Sequence, residues 1–490
     1  MNYIGQNLRR LEDPPLLTGE AKFAADISFP GQLHMRVVRS PVAYGEIRGI
    51  DVAQALAMEG VVDVWVGRDV ADIPPIDFRM SRVPGLEPYR QPIMAQQYVR
   101  YVGEPVAVVF ATDPYLAEDA AGSVFVEVED LAVCLRGTDE PGEFAPGLST
   151  EAAVIRKEYG DIERAFRSAH CVVELELGVG RHTGVPLETR GCIARYDRSR
   201  DLLELHGAAK VPHYNRDAIA EMLGRPPESV QLFAGHVGGG FGVRGELYPE
   251  DVITCLATLR LGRPIKWIED RREHLVATNH SRDQTHRVRA AVDRRGFILG
   301  LDDEFWLDQG AYVRTHAATV PDLTAALLPG PYVVPAYRVV GHFRLTNKTP
   351  AGTYRAPGRY EGTFVRERLL DEIARRIELD PVDVRRVNLI TADSMPFPRG
   401  LDALGTDVVY DSGDYPAIFE RILEYVEYER LKEDLQRRRA AGERVGVGIG
   451  CFVEKTGLGP HEKARVSVGL GGTVEVVTGA ASLGQGVESM

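Results

Sequence analysis

Cysteine is scarce in this chain. The five that occur in 490 residues (Cys134, Cys171, Cys192, Cys255 and Cys451) are scattered, and no two of them form a CxxC pair. That excludes a recognisable zinc or iron–sulfur ligand set within the chain. The odd count points to a reducing compartment, read here as cytoplasmic. Long apolar runs are missing too. No stretch is apolar enough to span a bilayer, and MNYIGQNLRRLEDPP has no hydrophobic segment of the signal-peptide kind, so no membrane insertion is expected. Nor is there an excess of basic residues. Lys and Arg number 58 against 71 Asp and Glu, a net charge of −13, which argues against nucleic acid as a partner. No HExxH, Ser/His/Asp arrangement or carboxylate pair has a persuasive spacing. His182 and Glu188 cluster, but two donors do not make a metal centre, and a structural role is expected for both. His206, His213 and His236 are isolated along the chain, and no metal ligand is assigned.

What is present is an ordinary globular composition, 44% hydrophobic and 26% charged. The length calls for about two to four domains. Residues 1–20 read as an extended arm, because Asp13-Pro14-Pro15 disfavours helix. From residue 31 to 131 the pattern is a compact mixed α/β domain. Strands are predicted at 32–38, 61–66, 105–110 and 124–128, and helices at 52–58 and 114–121. Residues 135–160, with Gly137, Pro141, Gly142, Pro146 and Gly147, read as a linker. Further strands are predicted at 171–177, 202–206, 230–234, 264–268, 287–292, 299–306 and 445–453. Helices are predicted at 212–223, 249–261, 361–377 and 415–439, with a short one opened by Asp380-Pro381. A hairpin at 464–468 and 473–478 leads to Gly484-Gln485-Gly486 with no closing element behind it. The chain is therefore expected to be incomplete as a functional unit.

Three glycine-rich loops carry the chemical signal. Gly238-Gly239-Gly240-Phe241-Gly242 lies where a strand hands over to a helix, so backbone N–H groups there can approach an anion unobstructed. Gly352 to Gly358 contains Arg355, a planar cation suited to phosphate or a similar anion. Gly484-Gln485-Gly486 is the third. Gly240 to Gly245 also satisfies GxGxxG after a strand, with Glu269-Asp270 closing the next strand, which keeps a Rossmann-type NAD-dependent oxidoreductase as an alternative.

With these loops in hand, the chain resembles the large, molybdenum-cofactor-binding subunit of the xanthine dehydrogenase/aldehyde oxidase family, most of all its carbon-monoxide-dehydrogenase-like branch. The resemblance runs from Arg10-Leu11-Glu12-Asp13-Pro14 through Arg39-Ser40-Pro41 and Val102-Gly103-Glu104-Pro105. It continues with Pro186-Leu187-Glu188-Thr189-Arg190-Gly191, the loop at Gly238–Gly242, Tyr354-Arg355 and Asp380-Pro381, and ends at Gly484-Gln485-Gly486. It implies an α/β (α+β) fold with an N-terminal α/β hammerhead-like domain at 1–134 and the linker at 135–160. The first part of a multi-segment molybdopterin-binding α/β domain would follow at 161–395, and the start of its truncated second part at 396–490. It also implies a molybdenum-dependent hydroxylase that oxidises an aldehyde, N-heterocycle or similar small carbon substrate with water-derived oxygen. The cofactor would be molybdenum-molybdopterin in its cytosine dinucleotide form. Electrons would leave through 2Fe-2S clusters on an iron–sulfur small subunit and FAD on a medium subunit.

On this resemblance Gly239, Gly240, Phe241, Gly242, Arg355, Ala356, Gln485 and Gly486 bind cofactor, and Arg355 and Lys210 stand at the reacting centre. The sequence departs from the pattern in two places. Ala356 replaces the cysteine of the carbon-monoxide enzymes, and Lys210 falls where the family commonly has glutamine. The family's general-base glutamate lies beyond the GQG loop, so this stretch alone is expected to be inactive. A further polypeptide would supply the remainder; otherwise the chain is a non-catalytic relative serving as a binding or assembly partner.

Overall fold

The alternation along Leu33–Arg39 and the wholly apolar run Pro105–Ala111 are explained by burial in one mixed sheet of seven strands. The computed structural model describes residues 4–81, 83–454 and 463–489. Its strand order in that sheet is Val230–Phe233, Leu202–Gly207, Gly191–Asp197, Ile265–Ile268, Leu33–Arg39, Pro105–Ala111, Val61–Val66. Early and late strands meet through the parallel pairs Leu33↔Ile265 and His34↔Lys266. The unit expected at 31–131 therefore does not close on itself, because its sheet continues into strands laid down much later in the chain. The helix Pro249–Leu261 starts with Pro at its first position and ends on left-handed Gly262. It sets Val252, Ile253 and Leu256 against Leu33, Phe110 and Trp267 in the core.

A second sheet has the order Cys171–Thr183, His280–Val292, Ile298–Gly310, Tyr337–Leu345, Glu151–Tyr159. The helix Arg359–Arg376 packs over its first two strands, burying Val365, Leu369 and Ile373 at four-residue spacing. The Asp380 side chain caps the next helix, Pro381–Asn388, accepting from the Val382 N–H at 2.9 Å.

Several expectations are corrected. Asp13–Thr18 is a helix, since consecutive prolines at its first positions remove donors that a helix start leaves unpaired anyway. The linker composition covers only part of 135–160: Glu143–Ala145 and Leu148–Ser149 pair as a ribbon, and Glu151–Tyr159 is an edge strand of the second sheet. The expected single helix at 415–439 is two, Tyr415–Tyr425 and Tyr428–Ala440, broken where Glu427 turns left-handed. Residues 445–453 form no strand, while Arg366 and Arg385 hold the backbone carbonyls of Cys451 and Ile449. The strand Tyr337–Leu345 and the helix Val320–Leu327 had no expectation attached to them.

Candidate functional site

The Gly238–Gly242 loop leaves the end of the strand Val230–Phe233, but the helix does not begin there. A single 3-10 turn, Val243–Gly245, intervenes before Pro249. The loop is held by Glu188, whose carboxylate accepts from the Gly238 N–H at 2.8 Å while the Glu188 N–H donates to the Gly238 carbonyl at 3.2 Å. A Cβ on Gly238 would lie 2.5 Å from Glu188 Cβ, so only glycine permits this approach. The buried Arg244 guanidinium fixes the same segment through the carbonyls of Glu188 (3.1 Å) and Thr189 (2.8 Å). Glu188 is thus an anchor of the loop. His182 is exposed, its Nδ1 2.6 Å from the Gly180 carbonyl oxygen. Among the described residues no group of three or more His, Cys, Asp and Glu side chains could hold a metal ion.

The three loops converge. The Arg355 N–H donates to the Phe241 carbonyl at 2.8 Å, and a Cβ on Gly242 would strike the Thr353 carbonyl oxygen at 2.3 Å. On the other side, a Cβ on Gly240 would meet Leu483 Cδ1 at 2.7 Å, and one on Gly484 the Val237 carbonyl at 3.2 Å. Gln485 is exposed, with its amide oxygen accepting from the Leu483 N–H at 2.5 Å, and Gly486 is buried. Phe241 is 47% exposed and left-handed, as is Ala356 (φ 53° and 58°). Arg355 is exposed, and among the described residues no acceptor pairs its guanidinium.

Beneath the loops lie residues that sequence reasoning missed. Buried Glu246 accepts from the Thr353 N–H (3.1 Å), Thr315 Oγ1 (2.6 Å) and the His316 N–H (3.0 Å). Asn279 Nδ2 donates to the Thr353 carbonyl at 3.1 Å. Arg282 donates to the Arg355 carbonyl at 2.6 Å, and its guanidinium lies over the rings of Tyr354 and Tyr360. No local pattern signals them, since Asn279 and Arg282 stand in a stretch of the chain that is polar throughout.

The charge behind the loops is internal. Arg190 pairs with Glu269 at 2.7 Å and Glu250 at 3.1 Å, and Arg39 reaches Glu250 and Glu273 at 2.6 Å each. Burial would raise the Glu250 carboxyl, but Arg190 and Arg39 outweigh it and hold it at about 2. Because Glu269 is buried in this network, it cannot meet a ribose, and the sheet is not a doubly wound parallel one. The nucleotide-fingerprint alternative therefore fails on both counts. Lys210 hangs from the turn after the loop, its N–H donating to the Arg244 carbonyl at 2.8 Å. Desolvation, then the charges of Arg79 and Arg359, push its ammonium below the ordinary range.

Comparison with known proteins now bears on this arrangement. Residues 18–132 match the aldehyde oxidase and xanthine dehydrogenase a/b hammerhead domain, and residues 146–389 and 421–490 match molybdopterin cofactor-binding domains. The chain belongs to the xanthine dehydrogenase/aldehyde oxidase family of molybdopterin-binding proteins. It is 43% identical to the 6-hydroxypseudooxynicotine dehydrogenase complex subunit gamma of Paenarthrobacter nicotinovorans, over 100% of this chain and 62% of that one. It is 30% identical to the carbon monoxide dehydrogenase large chain of Hydrogenophaga pseudoflava, over 95% and 60% respectively. Its fold matches quinoline 2-oxidoreductase from Pseudomonas putida 86 with a TM-score of 0.93 and 33% identity, over 99% of this chain and 63% of that one. The chain thus spans about three fifths of the length of these relatives. Its own residues fit such a cofactor: three loops meet at glycines, beside the Arg355 guanidinium, which has no ion-pair partner among the described residues.

Proposed function

We propose that this chain is the cofactor-binding portion of a molybdenum hydroxylase large subunit, which oxidises an aldehyde, N-heterocycle or similar small carbon substrate with water-derived oxygen. The observation that carries this is the meeting of three loops, 238–242, 352–358 and 483–486, on one another through glycines that admit no side chain. When bound, the molybdenum cofactor supplies the two-electron oxidation. The chain's part is to hold it: Gly239, Gly240, Phe241, Gly242, Ala356 and Gly486 line the cradle, Gln485 presents an amide to the pterin, and Arg355 offers a planar cation. Lys210 stands at the substrate side of the loop.

The cytosine dinucleotide form is the one we assign to the cofactor. Electrons pass to an iron–sulfur small subunit and an FAD-binding medium subunit. The remaining two fifths of the length that the relatives have comes from the same or another polypeptide and brings the general base. We place the complex in the cytoplasm, supported by five free cysteines and by the lack, among the described residues, of any helix long and apolar enough to cross a membrane. The domain limits we adopt are 1–134, 161–395 and 396–490, with the ribbon and edge strand at 143–159 joining the first two.

The test is the molybdenum content of the complex isolated with its companion chains. About one metal per chain is expected, and Gly242→Val, which drives a side chain into the Thr353 carbonyl, should abolish retention with the secondary structure intact. A folded native complex without molybdenum overturns the proposal and favours a non-catalytic assembly partner.

A further inference from the structure

Two of the three glycine loops touch without bonding. Leu483 packs against Gly240 and Gly484 lies beside the Val237 carbonyl, but among the described residues no hydrogen bond joins 236–242 to 483–489. The bonds that tie 483–489 to the rest of the described chain end instead on the N-terminal arm. Arg10 Nη2 donates to the Gly484 carbonyl at 3.3 Å, and the Leu11 N–H donates to Ser489 Oγ at 2.7 Å. The Glu12 carboxylate accepts from the Glu488 N–H at 3.1 Å and from the Ser489 hydroxyl. A Cβ on Gly486 would lie 2.9 Å from Arg10 Nε, so that side chain is seated directly against the glycine. Hydrogen bonding from Ser489 holds the Glu12 carboxyl at about 2, and it accepts as an ion at neutral pH.

Further along, the same arm grips the first loop. The Lys22 N–H donates to His236 Nδ1 at 3.3 Å, and the His236 N–H donates back to the Lys22 carbonyl at 3.2 Å. The Ala24 N–H donates at 3.3 Å to Glu188, the side chain that holds Gly238. Buried Lys266 then anchors the arm to the first sheet, its ammonium donating to the Ala25 and Ile27 carbonyls at 2.6 and 2.8 Å. Between the two grips lies the helix Asp13–Thr18, followed by the Ala21 N–H bonded to the Pro15 carbonyl at 2.9 Å. That helix buries none of its residues, so packing does not account for its place.

A segment of this kind keeps one position only where something ties it down, and here both ties are cofactor loops. Resting on the function proposed above, we infer that residues 10–24 are a strap that positions the Gly484–Gly486 loop against the Gly238–Gly242 loop, with Arg10 and Glu12 as its positioning residues. Both act through the backbone they hold. The Gly484 carbonyl and the Glu488 N–H flank Gln485, so the strap fixes the place from which that amide is presented.

Amide exchange of the complex isolated with its companion chains tests the strap without turnover. In Glu12→Ala, exchange over 483–489 should quicken about tenfold or more, with the helix Pro249–Leu261 as protected as before. Loss of molybdenum on dialysis should quicken about tenfold in the same variant. Glu12→Gln, whose amide oxygen still accepts from the Glu488 N–H, should restore most of both. Unaltered exchange in Glu12→Ala overturns the inference, as does a failure of Glu12→Gln to rescue it. Lost protection over Pro249–Leu261 would make Glu12 a general stabiliser, and faster loop exchange with molybdenum fully held would leave the strap no part in the cradle; each overturns it too. A complex that carries no molybdenum refutes the enzyme assignment, and the exchange result then upholds or overturns the strap by itself.

Discussion

At the scale of the residue, the loops rest on charges that burial alone would neutralise. Glu250 is only 2% exposed, and two guanidinium groups keep it ionised. With a folded value of about 2 against an ordinary 4.5, the carboxylate is depressed in the native state. Its contribution to stability is therefore complete above pH 4.5 and is lost as the pH falls toward 2, an effect on the order of 3 kcal/mol. Replacing it by glutamine leaves Arg39 and Arg190 without their shared partner. Glu250→Gln should lower stability at pH 7 by about 3 kcal/mol or more, and should flatten the loss of stability between pH 4.5 and 2. Urea denaturation across that range checks both statements.

At the scale of the element, the Gly238–Gly242 loop is held by the irregular segment 184–190, a part of the chain about fifty residues earlier. Glu188 binds the Gly238 N–H with its carboxylate, and the Ala24 N–H at 3.3 Å with the other oxygen, so one side chain ties the N-terminal arm to the loop. Glu188→Ala should release both. Amide exchange over 236–242 is expected to quicken about tenfold or more, with the helix Pro249–Leu261 unaffected; equal protection in the variant would assign the anchoring to Arg244 instead. This division also explains what could be read in advance. Pro114, Pro249 and Pro381 mark helix starts because a missing N–H is harmless only in the first turn, and those helices begin where expected. The glycine loops were legible because close backbone approach leaves a compositional trace. Glu246, Asn279 and Arg282, which hold the Arg355 loop, leave none, since each reaches it across a long separation in the chain through only one or two polar contacts.

At the scale of the molecule, the first sheet makes the early and late parts interdependent. Trp65 and Trp267 belong to one core although they sit in strands far apart in sequence. Single-tryptophan variants that keep either residue should report the same denaturant midpoint, and residues 1–132 made alone should lack a cooperative transition. Two separate midpoints, or a folded fragment, would show that the parallel pairing of Leu33 with Ile265 is dispensable. The linker expected at 135–160 hid this coupling. Apart from Gly160, its glycines and prolines lie before residue 148, whereas the strand behind them, Glu151–Tyr159, reads as polar because only one of its sides is covered.

Left-handed backbone at Ala356, just before a proline, is an arrangement a free chain avoids, at a cost of about 1 kcal/mol. Arg282 clasps the carbonyls on either side of that peptide, and Tyr360 closes the turn from below with its N–H at 2.9 Å. The loop is thus a cocked latch, set by folding before any ligand arrives. Ala356→Gly relieves the strain without releasing the turn, since glycine takes a positive φ freely: heat resistance should hold or rise in a thermal melt while the Arg355 and Ala356 carbonyls stay clasped. The shape of the loop is thereby a property of the fold and not of whatever comes to rest on it.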